Sequence, residues 1–123
     1  MYHSAFPIIT TPDLARALGF YRDLLDGAVS YRFPESGPPV YVSLELAASH
    51  LGIGEDSTAV EATGPQRFSL WVYATDCSEA IERLRANGVQ IVEEPVDQPW
   101  GERVARVVDP DGNVVIVGSP PPG

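Results

Sequence analysis

Apolar residues recur along this chain in two rhythms, and the alternation between them predicts its elements. A short apolar run at residues 5–10 reads as a first strand, which Pro7 confines to an edge or irregular position. Apolar side chains then return at Leu14, Ala17, Leu18, Tyr21, Leu24 and Leu25, the spacing of one face of a helix. Thr11 is expected to cap that helix, with Pro12 and Asp13 in its first turn, and Gly27 to end it in a left-handed conformation. Three β-like stretches follow at 29–33, 40–46 and 50–53, broken by a proline-rich turn and by Ala47-Ala-Ser49. The order to this point is βαβββ.

A polar stretch, residues 56–66 with a Gly64-Pro65 breaker, reads as a linker, and the same order then begins again. Residues 68–73 form a strand, and Asp76 with Glu79 three positions on has the form of a capping box. Ala80, Ile81 and Leu84 mark the buried face of the second helix, and Asn87-Gly88 closes it. Strands are expected at 89–93, 103–108 and 114–117, the last two joined by Asp109-Pro-Asp-Gly-Asn113. Asp13 and Asp76 stand 63 residues apart and Gly27 and Gly88 stand 61 apart, so the halves form a tandem repeat. The expected fold class is α+β, with two βαβββ modules at about 5–55 and 67–118 making one domain over 1–123. The Pro-Pro-Pro-Gly tail is expected to fray.

Composition narrows the function. A chain of 123 residues, 44% hydrophobic and 20% charged, is the size of one compact domain, so packing, helped by a partner subunit, must stabilise it. Seventeen acidic residues against eight arginines give a net charge of −9, with no basic run to neutralise phosphates, which argues against a nucleic-acid partner. No stretch reaches ~18 apolar residues, so no membrane partner is expected. Met-Tyr-His-Ser-Ala-Phe lacks the regions of a signal peptide, and a cytoplasmic location is expected. The single cysteine, Cys77, excludes an internal disulfide and any multi-cysteine zinc site, and it is read as inert.

Two segments carry a resemblance: Phe20-Tyr-Arg-Asp-Leu-Leu-Asp-Gly27 and Asp109-Pro-Asp-Gly-Asn113. Set in the doubled βαβββ order over residues 5–118, they resemble the vicinal oxygen chelate superfamily of glyoxalases, extradiol dioxygenases and bleomycin-resistance proteins. The resemblance implies modules whose strands curl around a cavity, with the helices outside. In the enzymes a divalent metal sits there on four strand positions. The first, third and fourth fall here on Phe6, Ser69 and Ile116, and the second falls near His50 to Gly52. Only His50 among them is a plausible ligand, because a divalent cation needs three or more N, O or S donors. The chain therefore resembles the metal-free, drug-binding branch, whose pockets form between subunits of a homodimer. Pro99-Trp-Gly-Glu-Arg103 is similar to antibiotic-binding members of that branch.

Strand alternation marks a pocket independently. If Phe6 points inward, so do Ile8 and Thr10, and by the repeat so do Ser69, Trp71 and Tyr73, joined by Val114 and Ile116 of the last strand, while Leu70 and Val72 face the helices. That lining suits a flat conjugated ligand, although any one of these rings serves equally well as core. Trp100 sits in a Pro- and Gly-flanked loop and is read as a stacking residue, with a loop-anchoring plug as the alternative. Tyr31, Phe33 and Tyr41 form an aromatic cluster that closes a partner's pocket or serves as plain dimer interface. Arg103 donates to a ligand oxygen or forms a surface ion pair. His50 without a second ligand is ordinarily a strand residue, and His3 is less informative still. Gly52-x-Gly54 lacks the third glycine of a dinucleotide fingerprint. Asp23, Asp26, Glu93, Glu94 and Asp97 form solvated surface that also suits a cationic drug.

The expected function is non-catalytic sequestration of an aromatic natural-product antibiotic, bleomycin-like or enediyne-like, by a homodimer that carries no cofactor. The alternatives are a metal-dependent lyase, isomerase or dioxygenase using His50 with Glu45 or Glu102, and an accessory protein that binds a small metabolite.

Overall fold

The first unit, Met1–Val60, has four strands, β1 (Ile8–Thr11), β2 (Ala28–Phe33), β3 (Tyr41–Leu46) and β4 (Ser49–Glu55), of which β3 alternates buried and more open side chains. They form one mixed sheet in the order β1-β4-β3-β2, with β1 parallel to β4 and the other pairs antiparallel. The second unit, Glu61–Gly123, repeats this with β5 (Leu70–Tyr73), β6 (Gln90–Asp97), β7 (Arg103–Val108) and β8 (Val114–Ser119), ordered β5-β8-β7-β6. The architecture is α+β, and neither sheet closes into a barrel. This computed structural model describes Met1, residues 4–60, Gln66 and residues 68–120. His3, the Gly64-Pro65 breaker and the last three residues of the tail lie outside the described residues. No helix among the described residues is long and apolar enough to cross a membrane.

One helix packs against one face of each sheet, where buried aliphatic side chains collect. In the first unit α1 (Leu14–Leu18) continues as a π-helical segment, Gly19–Leu24. Leu14, Leu18, Phe20 and Tyr21 are buried with Val42, Leu44, Leu51 and Ile53 of the sheet. Phe20 and Tyr21 meet edge to face at 4.8 Å, so the Phe-Tyr-Arg segment begins as core. In the second unit α2 (Cys77–Ala86) buries Cys77, Ile81 and Leu84, and Ala105, Val107, Val115 and Val117 form the apolar face beneath it.

Several local expectations change. The first helix is capped by Asp13, whose carboxylate accepts from Arg16 N at 3.1 Å, and not by Thr11. Thr11 belongs instead to the end of β1, buried, its hydroxyl 3.2 Å from both the amide N and the carbonyl O of Asp13. Pro12 therefore precedes the helix. A second carboxylate, Glu55 at the end of β4, accepts from Leu14 N at 2.9 Å. The left-handed residue after the helix is Asp26, φ 60°, and not Gly27. Gly27 is required for a different reason: a Cβ there would lie 2.8 Å from the Tyr21 carbonyl oxygen. In the second unit Asp76 caps α2 as expected, accepting from Glu79 N at 3.0 Å, and Gly88 is left-handed with φ 82°. The first strand begins later than expected, at Ile8, and β6 runs on to Asp97 through two register shifts.

Candidate functional site

Each sheet keeps one face free of its helix, and register decides what stands there. On the second unit Leu70 and Val72 pair with Val115 and Val117 on the α2 side, so Trp71 and Tyr73 project from the other. Trp71 is 38% exposed and Tyr73 61%, and their rings meet at 5.8 Å with an angle of 50°. The Trp71 ring lies across Gly118, where a Cβ would stand 3.0 Å from its Nε1. Ile116, the register partner of Trp71, is buried on that same face. Ser69 is exposed just before β5.

The loop between β6 and β7 brings a third ring. Backbone bonds from Gln98 N to Glu102 O (2.7 Å) and from Gly101 N to Gln98 O (2.9 Å) close it, with Gly101 at φ 104°. The loop is thus held by its own backbone, and the Trp100 ring stands 60% exposed instead of plugging it. Trp100 Nε1 donates to Glu102 Oε1 at 2.6 Å. The same carboxylate lies close enough to the Tyr73 phenol to hold it above its ordinary pKa. Glu102 thus joins the loop tryptophan to the β5 tyrosine. The sequence reading weighed Glu102 only as a metal ligand; the turn at Gly101, φ 104°, is what brings its carboxylate to the Trp100 indole.

Arg103 points the other way. Its guanidinium binds Asp97 at 2.7 Å and donates to Ser78 Oγ at 3.1 Å, on the α2 side of the sheet. It serves there as an ion pair that ties β7 to β6 and to the start of α2, opposite the face of Trp71 and Tyr73. Those contacts raise its own pKa and lower that of Asp97. Cys77, buried beside it, has its thiol pushed up by burial, which is the opposite of an activated nucleophile.

On the first unit the open face carries Ile8, Tyr31, Phe33, Tyr41 and His50. Ile8 pairs with Gly52 and is 58% exposed, while Phe6 precedes β1 at 48%. The Tyr41 ring crosses Gly52, whose missing side chain leaves room for the Tyr41 hydroxyl. Tyr31 and Tyr41 meet at 6.2 Å, Phe33 is the register partner of Tyr41, and a depression of about 920 Å³ runs along residues 29–33 with Glu35 and Ser36. His50 is exposed and lies opposite Glu45 across β3 and β4.

These donors do not fit the divalent metal of the related enzymes. Phe6 and Ile116 offer no lone pair, Ser69 a hydroxyl, and His50 has one carboxylate opposite it. Among the described residues no three His, Cys, Asp or Glu side chains converge.

Comparison with solved structures places the chain among several of one fold. TioX from Micromonospora sp. ML1 matches with a TM-score of 0.75 at 22% identity, covering 98% of each chain. The bleomycin resistance determinant encoded on the transposon Tn5 matches at 0.69 and 19% identity, covering 97% of this chain and 98% of that one. Lactoylglutathione lyase from Agrobacterium tumefaciens matches at 0.68 and 21%, covering 94% and 92%. At these identities the likeness shows the fold, in a resistance determinant and a lyase alike. A comparison with curated proteins finds no match. The family model described as Glyoxalase/Bleomycin resistance protein/Dioxygenase superfamily spans residues 3–117. With that span, the repeated βαβββ units and the Asp109–Asn113 turn, the chain belongs to this superfamily.

Proposed function

We propose that this protein binds a flat aromatic natural product, an antibiotic, and holds it unaltered, lowering the free drug by mass action. It acts as a homodimer with two equivalent pockets at the subunit interface. The observation that carries the reading is the group of three exposed rings, Trp71, Tyr73 and Trp100, in a molecule where no three metal-ligating side chains converge among the described residues. Exposed tryptophans on a well-ordered sheet and a backbone-closed loop are preorganised for stacking, which limits the entropy lost on binding. Each aromatic pair contributes about 0.5 to 1.5 kcal/mol beyond area burial, so several are needed to approach the roughly −12 kcal/mol of a nanomolar complex.

The test is a titration with a panel of polycyclic antibiotics, followed by tryptophan fluorescence. Quenching that saturates at one ligand per chain is expected, and Trp100→Ala should weaken binding by about 1 kcal/mol or more. No quenching across the panel would sink the proposal. His50 beside Glu45 is the one observation favouring an enzyme, and a stoichiometric divalent ion in protein purified without chelators would support that reading instead.

A further inference from the structure

Glu102 is a carboxylate whose contacts are neutral. Its chain neighbour Arg103 turns to the opposite face and is engaged by Asp97 and Ser78. Arg106 is engaged by Glu93 at 2.5 Å, and Arg85 by Glu94 and Glu82. Among the described residues the side-chain donor bonded to Glu102 is the Trp100 indole N–H, the Tyr73 phenol lies near it, and neither carries charge. The carboxylate thus sits at the N–H edge of Trp100, whose ring faces stay exposed, near Tyr73 with Trp71 against it. Both features attract a cation, and ring faces favour one that is large and weakly hydrated.

We propose that Glu102, Trp100 and Tyr73 form a subsite for a cationic group of the ligand, an alkylated ammonium or an aromatic iminium, so that the molecule bound is a cationic aromatic. This rests on the stacking reading above and adds the sign of the ligand's charge. The rest of the chain agrees with it, because a net charge of −9 steers cations toward the protein and anions away. Arg103, which a sequence reading offers to an anionic ligand oxygen, is committed elsewhere.

A matched pair of dyes separates ring stacking from charge: N-methylacridinium, permanently cationic, and acridine, uncharged at mildly alkaline pH. Both are titrated against the full chain by tryptophan quenching. N-methylacridinium should bind about tenfold tighter or better, as expected for a cation held by ring faces and a carboxylate together. Glu102→Gln keeps an acceptor for Trp100 but loses the charge, and should bring the ratio of affinities close to one. Glu82→Gln on exposed α2 removes the same unit of net charge and should keep the ratio, which excludes a long-range field effect. Equal affinities in the unaltered protein, or a ratio that survives Glu102→Gln, overturn the cation subsite and leave stacking intact. Failure of both dyes to bind overturns stacking and subsite together.

Discussion

The two units share a backbone plan and differ in what they set on it. Each lays an aromatic ring across a strand glycine on its open face, Tyr41 over Gly52 and Trp71 over Gly118. Only the second adds a closed loop that presents a tryptophan beside a carboxylate. The helices differ as well. In the first unit α1 is five residues long, draws on carboxylates from both Asp13 and Glu55, and widens into a π-helical segment. In the second, ten regular residues run from the Asp76 cap to an ordinary Asn87-Gly88 exit. The comparison teaches that a duplicated backbone leaves side-chain chemistry free to diverge, because sheet pairing depends on main-chain bonds while sites depend on single residues.

The helix exits offer the largest test. Gly27→Ala drives a Cβ against the Tyr21 carbonyl oxygen and should destabilise the protein by about 1 to 3 kcal/mol, as overpacking against backbone does. Gly88→Ala has open space around it and meets only its left-handed backbone, a cost of about 1 kcal/mol. Urea unfolding midpoints compare the two; a harmless Gly27→Ala would break the contrast.

The helix starts give a smaller one. Asp76→Ala should cost about 1 kcal/mol, the ordinary loss of an N-cap. Asp13→Ala should cost less, because Glu55 still supplies a carboxylate to the first turn of α1. Equal losses would mean that Glu55 does not share the capping.

The smallest effect is a pH dependence. Arg103 holds the Asp97 carboxyl below its ordinary pKa, and Arg22 does the same to Asp23. A depressed folded pKa adds stability above the unfolded value, and that part is lost as pH falls through the folded value. Asp97→Asn should therefore flatten the acid side of the stability curve. Asp23→Asn should flatten it less, since Asp23 and Arg22 adjoin in sequence and pair in the unfolded chain too. Melting temperatures across the acid range decide it.

Much of the candidate site was legible. Alternation placed Trp71 and Tyr73 opposite Leu70 and Val72, and the 63-residue offset between Asp13 and Asp76 relates two true N-caps. Between the two roles read for Arg103 the sequence could not choose, because alternation could not be phased on β7: the bulged β6 and the side of α2 fix which way it points, toward Asp97. Glu102 was hidden for a related reason, since its bond to Trp100 depends on a turn and its proximity to Tyr73 spans 29 positions.

By itself the sequence determined the order of elements, the repeat and the face that β5 turns to its helix, because hydrophobic period and capping chemistry act over a few residues. Tertiary structure alone decided that Gly27 is needed for close approach and Asp26 for the left-handed turn, that Glu55 reaches back to α1, and that Glu102 meets two rings while Arg103 turns away. Those outcomes follow from distances between residues remote in the chain or from the phase of a turn, and local pattern carries neither.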